Sequence, residues 1–214
     1  MSSNSWTDPG AVRKYISGRV LSEADLLVAH RLKELSPKIL LELGTGPGLV
    51  ARKASIPGNY IPSDVSMEFL KLLDLPASVC FTAHRIPLRD CSVDCILAMA
   101  VLHHLNNRDL QCALREVQRV LQPGGRFLLV EDWCFSRGET GFEEEARKNR
   151  FRYGTKENHL ASGTWLLELQ AAGFALCEKK WVTRPFHTSD PRLLRWPEEM
   201  RKIRMLFLEM EPVS

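Results

Sequence analysis

Residues 40–51, LLELGTGPGLVA, restrict the fold more than any other stretch of this chain. An apolar run from Ile39 ends at Glu42-Leu43, turns through Gly44, Gly46 and Gly48, and enters a segment that reads as a helix through Ala54. A strand that stops on glycines and restarts as a helix is the entry to a βαβ unit. Glycine lets such a loop bend tightly and lets a ligand touch its backbone. The N–H groups at the following helix start can meet a negatively charged group. The spacing is GxGxG, not the GxGxxG of the dinucleotide fingerprint. The next strand, Tyr60 to Ser63, ends at Asp64, where a carboxylate can accept hydrogen bonds from both hydroxyls of a ribose. The competing reading is a plain tight turn, with Asp64 only capping the next helix.

The rest of the chain keeps the same rhythm. Asp8 to Leu35 reads as two helices, the second opened by Ser22-Glu23-Ala24-Asp25 and stopped by Ser36-Pro37. Ser66 is placed to cap a helix carrying Met67, Phe69, Leu70 and Leu73. Strands are expected at Ser78–Ala83, Val93–Met99 and Arg126–Glu131, with a helix from Asp109 to Val120 closed by Pro123-Gly124-Gly125. Ser162 is expected to cap a helix through Ala172, ended by Gly173, before two closing strands at Phe174–Val182 and Met205–Met210. Pro191 to Ile203 reads as a loop or short helix. Seven strands alternating with helices predict an α/β, doubly wound sheet. Residues 133–159 break the rhythm and read as a partly helical insertion over the sheet edge, with Glu143-Glu144-Glu145 on a solvated helix face.

Composition narrows the function. At 214 residues the chain can bury one large core. A formal net charge of +3, with basic residues spread along the chain, disfavours nucleic acid as a partner. If a basic groove exists, Arg147, Lys148, Arg150 and Arg152 would build it. The six cysteines form no CxxC pair and show no zinc-like spacing, so reduced thiols and no metal are expected. No stretch has the apolar length of a membrane helix, and the N-terminus has no apolar signal core, so a soluble cytoplasmic protein is expected.

Four motifs in order carry a family resemblance. LLELGTGPG resembles the first motif of class I S-adenosylmethionine-dependent methyltransferases, and IPSDVS resembles their second. AHRIPLRDCSVDCILAMAVLHHL resembles their third and fourth strands, and RVLQPGGRFLLVED the entry to their fifth. The likeness is close over residues 38–132, and the ending resembles their final antiparallel pair. In style the chain is nearest the small-molecule methyltransferases of the type 11 group. The resemblance implies a single Rossmann-like domain over residues 1–214, with an antiparallel final strand. Residues 1–37 would form a helical lid and residues 133–159 a cap over the substrate.

It also implies roles for residues. Gly44, Thr45, Gly46 and Gly48 would approach the methionine part of S-adenosylmethionine, Glu42 its amino end and Asp64 its ribose. Val65 and Met67 would flank the adenine. Thr82 stands where the family usually carries an Asp for the adenine amino group, a departure after which Thr82 would itself accept the hydrogen bond or Ala83 and His84 would supply backbone contacts. Ala98 and Met99 would face the methyl donor.

A sulfonium methyl is already activated, so transfer needs alignment and exclusion of water, with a base only for a protonated acceptor. His103 and His104 follow the fourth strand and are candidates for that base, or for shaping the pocket through backbone hydrogen bonds. Glu131 and Asp132 end the fifth strand and would fix a cationic acceptor, act as base, or simply cap. Tyr15 and Trp6 would close over the site or merely pack. Tyr153, His159 and Arg152 would select the acceptor. The expected partner is therefore a small-molecule methyl acceptor. The alternatives are an RNA or protein methyltransferase, a nicotinamide-dependent oxidoreductase, and a non-catalytic S-adenosylmethionine-binding module.

Overall fold

A computed structural model describes residues 8–17, 21–50, 59–73, 77–132, 140–148 and 157–213. Helices α1 (Pro9–Ser17) and α2 (Glu23–Leu35) lead into β1 (Ile39–Leu43), β2 (Asn59–Asp64), α3 (Met67–Leu73), β3 (Val79–Cys80) and β4 (Val93–Met99). A 3-10 turn at Leu102–His104 precedes α4 (Asn107–Val120) and β5 (Leu121–Asp132). Then come α5 (Gly141–Lys148), α6 (Ser162–Ala171), β6 (Phe174–Pro185), α7 (Pro191–Leu194) and β7 (Lys202–Pro212). Trp6, Tyr153, Arg150, Arg152 and residues 51–54 of the helix expected through Ala54 lie outside the described residues, as do the side chains of Arg147 and Lys148.

The seven strands form one sheet in the order β3-β2-β1-β4-β5-β7-β6. The first five run parallel, and β7 is antiparallel to both β5 and β6. The order reverses between β1 and β4, and the crevice above that switch point is where a doubly wound sheet holds its ligand.

Period-two alternation assigns each strand residue to one of two cores. Leu41, Leu43, Ile96, Ala98, Phe127 and Leu129 pack with Leu110, Leu114 and Val117 of α4 and with Trp165 and Leu169 of α6. Leu40, Cys95, Leu97, Leu128 and Val130 pack on the opposite face with Ala24, Val28 and Leu32 of α2. Because both faces are covered, the central strands are apolar throughout. Helix α2 starts with a reciprocal capping box, in which Ser22 accepts from the Asp25 N–H and Asp25 accepts from the Ser22 N–H at 2.7 Å.

Several boundaries differ from the sequence expectation. Strand β3 is two residues long, because Thr82 to Arg85 turn back on themselves through an Arg85 N–H to Thr82 carbonyl bond of 2.9 Å. Helix α4 starts two residues early because Asn106, not a later residue, caps it by accepting from the Asp109 N–H. The Pro123-Gly124-Gly125 segment does not close that helix. Leu121 already pairs with Val93, and the segment forms the irregularity before Arg126 pairs with Cys95. Ser162 is the first residue of α6, whose cap position is Ala161 with no side-chain bond. Glu143 is buried, not solvated: it accepts from the Arg204 N–H at 2.7 Å and the Thr140 N–H at 3.0 Å, tying α5 to β7. No described helix is long and apolar enough to cross a membrane.

Candidate functional site

A cleft of about 1130 Å³ opens at the carboxyl ends of β1, β2 and β4. Its floor is the glycine loop. Gly44, Gly46 and Gly48 all take positive φ, at 63°, 52° and 66°. The three differ in what surrounds them. A Cβ on Gly44 would lie 2.3 Å from Val101 Cγ2, and one on Gly48 would lie 2.2 Å from Leu73 Cδ2. A Cβ on Gly46 would meet nothing nearer than the Gly44 carbonyl oxygen at 4.0 Å. Gly44 and Gly48 therefore let neighbouring elements approach, whereas Gly46 leaves space in the cleft itself. Gly48 does not line the cleft.

The loop is tied to β2. Thr45 and Ser63 exchange backbone and hydroxyl hydrogen bonds, with Thr45 N–H donating to the Ser63 carbonyl at 2.9 Å and Ser63 N–H to Thr45 Oγ1 at 3.0 Å. Asp64 accepts from the Gly46 N–H at 2.9 Å through one oxygen and from the Ser66 N–H at 2.8 Å through the other. Burial raises its pKa, and these N–H groups act against the rise.

Glu42 is buried at the end of β1 and accepts from the Tyr60 hydroxyl. Burial pushes its pKa up to about 7, with the Tyr60 bond opposing and the charges of Asp64 and Asp25 adding to the rise. Between the ordinary carboxylate value and 7 the folded chain holds a proton that the unfolded chain has lost. Stability therefore falls as pH rises through that window. Glu42→Gln should remove this slope while keeping an acceptor for Tyr60. Relative to wild type, the variant should gain on the order of 2 kcal/mol between pH 5 and pH 8 in denaturant titrations. Parallel pH profiles for the two proteins would show that Glu42 titrates normally.

Thr82, Ala83, His84 and Val65 line the cleft, with Thr82 Oγ1 3.3 Å from His84 Nε2. Met67 is half exposed and does not line it. Ala98 is fully buried in the core on the α4 side. The next residues, Met99, Ala100 and Val101, line the cleft instead, and Ala100 carries a positive φ of 53°. That left-handed alanine, anchored by its N–H to the Val130 carbonyl at 2.7 Å, turns the chain out of β4 toward the histidines.

The two histidines divide. His104 lines the cleft, and His103 lies buried beneath it. His103 Nδ1 is 2.5 Å from Glu131 Oε2, while Glu131 Oε1 accepts from the Leu102 N–H at 2.9 Å. Burial alone would lower the pKa of His103, but Glu131, Asp132 and Glu157 outweigh it and hold the value above normal. Asp132 is paired with Arg184. His159 stacks on His103 with ring centroids 4.8 Å apart, and its Nε2 is 3.0 Å from Glu157 Oε2. Glu131, Asp132 and His159 thus stand behind the cleft wall. Tyr15 of α1 lines the cleft and meets Phe69 edge-on at 5.8 Å.

Several lining residues were not singled out in the sequence: Asp25, Phe81, Asn107, Arg108, Glu157 and Asn158. The capping box announced Asp25 as a helix residue, but nothing local showed that its helix start abuts the glycine loop. Asn158 reaches the site through long-range bonds, its N–H to the His103 carbonyl and its side chain to Asn107, both at 2.6 Å.

Residues 41–129 match the family described as Methyltransferase domain. The chain is similar to the ubiquinone/menaquinone biosynthesis C-methyltransferase of Cellvibrio japonicus, 35% identical over 91 residues, which is 38% of this chain and 36% of that protein. The first curated relatives are matched over about a third of their length, 30% and 36%. Among solved structures, the YcgJ protein of Bacillus subtilis aligns with a TM-score of 0.66 at 17% identity, covering 89% of this chain and 98% of that one. The 1,6-didemethyltoxoflavin-N1-methyltransferase of Burkholderia thailandensis, solved with S-adenosylhomocysteine and 1,6-didemethyltoxoflavin, aligns with a TM-score of 0.63 at 16% identity. That alignment covers 99% of this chain and 82% of that one. The chain therefore has the fold of the class I S-adenosylmethionine-dependent methyltransferases, and residues 41–129 are the stretch that matches the methyltransferase-domain family.

Proposed function

We propose that this chain transfers a methyl group from S-adenosylmethionine to a small-molecule acceptor. The observation that carries the reading is that one cleft brings Glu42, the glycine loop and Asp64 together at the switch point of the sheet. The residues suit the cofactor at both ends. Gly46 leaves room over the loop for the methionine part, and the buried carboxylate of Glu42 suits its ammonium. Asp64, at the tip of β2, suits the ribose hydroxyls, and Val65, Phe81 and Thr82 form a mostly apolar wall for the adenine.

When bound, the cofactor supplies an electrophilic methyl on a sulfonium. The chain's own part is alignment and exclusion of water. Met99 to Val101 set the wall at the end of β4, and Tyr15 closes the side formed by α1. His104 and Glu157 give the acceptor end of the cleft its polar groups. Glu131 and His103 hold that end in place from behind. Asp132 and His159 support the same wall, and residues 1–37 and 133–159 would serve as lid and cap.

S-adenosylhomocysteine should raise the unfolding temperature of the chain, and NADP should leave it unchanged. Stabilisation by NADP but not by S-adenosylhomocysteine would replace this reading with a nicotinamide-dependent one.

A further inference from the structure

The histidine cluster beside the cleft has the donor set of a metal site. His103, His104 and Glu157 place one ligand atom each within 4.8 Å of one another. They come from the 3-10 turn after β4 and from the segment before α6, more than fifty residues on, so no ligand spacing in the sequence announces them. His104 Nδ1 and Glu157 Oε1 lie 3.9 Å apart. That is too long for a hydrogen bond. It is near the edge of a tetrahedron around an ion with bonds of about 2.1 Å, roughly 3.4 Å.

The surroundings fit a ligating role. A metal-binding imidazole has its other nitrogen held by a carboxylate, and a ligating carboxylate is itself hydrogen-bonded. Glu131 holds His103 Nδ1 at 2.5 Å, which leaves Nε2 for an ion. His159 Nε2 holds the second oxygen of Glu157 at 3.0 Å. His104 and Glu157 both line the cleft, so the position between them opens toward bound molecules. Two histidines, one carboxylate and an open side make a site of the catalytic type.

A second grouping, His103, Asp132 and His159, is also compact. There Arg184 already sets its guanidinium on Asp132, where a cation would have to sit.

We propose that His103, His104 and Glu157 bind one divalent transition-metal ion, with Glu131 and His159 orienting the ligands, and that the open side of the ion faces the acceptor. The last clause rests on the methyltransferase reading of the cleft. The ion site itself does not.

The test uses the full-length chain without a histidine tag, stripped with chelator and titrated with Co²⁺ and Zn²⁺. One equivalent of Co²⁺ should bind and give the visible absorption of a low-symmetry nitrogen and oxygen site. Glu157→Gln and His104→Ala should each weaken binding at least 100-fold, and His159→Gln about 10-fold. Circular dichroism spectra and unfolding temperatures of the ion-free variants should match those of ion-free wild type, which shows that the variants are folded. Absence of stoichiometric binding by wild type would overturn the proposal. So would loss of binding in Asp132→Asn with retention in Glu157→Gln. If the ion binds and S-adenosylhomocysteine does not, the metal site stands and the methyltransferase reading falls.

Discussion

Glu131→Ala is expected to destabilise the chain by about 3–5 kcal/mol, because it removes one partner of a buried charged pair. Glu131 is fully buried at the end of β5, with one oxygen on the Leu102 N–H and the other on His103. Truncation strands both donors in a site that water cannot reach, so each keeps its desolvation cost without its compensation. In a chain of this size the loss lowers the melting temperature by roughly 10 °C. Glu131→Gln keeps an acceptor for the Leu102 N–H and should recover part of the loss. Chemical denaturation of the three proteins decides the point. A cost below about 1 kcal/mol for the alanine variant would mean that the turn after β4 is held by other contacts.

Gly46→Val should leave the chain folded and abolish cofactor binding. The left-handed backbone at residue 46 makes any side chain there cost about 1–3 kcal/mol, and a β-branched one falls at the upper end. The space beyond the Cα is open, so the side chain overlaps no protein atom within its first carbon. On the proposed function it enters the volume that the methionine part of the cofactor would fill. Gly44→Val behaves differently, because its Cβ would overlap Val101 at 2.3 Å and damage the fold itself. Circular dichroism and S-adenosylhomocysteine titration separate the two. If Gly46→Ala, the milder form, also loses binding while Gly44→Val keeps both fold and binding, the roles of the two glycines are reversed.

Most of the sheet was legible because its code is local. Period-two apolar strands such as VDCILAM and caps such as Ser22 state their own structure. The errors fall where a distant partner decides. Glu143 reads as one of three adjacent solvated acids until the Arg204 N–H of β7 is placed against it. Pro123-Gly124-Gly125 reads as a helix end until Val93 is seen to pair with Leu121. The glycine loop and Asp64 were legible as neighbours because 18 residues of one βαβ unit bring them together, closing on the Gly46–Asp64 bond. Ala98 was assigned to the cleft one residue too soon, since strand alternation turns it toward α4. Glu157 was missed because its placement depends on the Asn158 bond to His103, about fifty-five residues away in sequence.

On the proposed function, the bend at residues 44–48 and the carboxylate of Asp64 together hold an adenosyl ligand. Calorimetric titration of S-adenosylhomocysteine into wild type and Gly46→Val tests it most directly. One site should saturate in the wild type, and the variant should give no measurable heat. A folded wild type that takes up none, or a variant that binds as tightly as wild type, would contradict it.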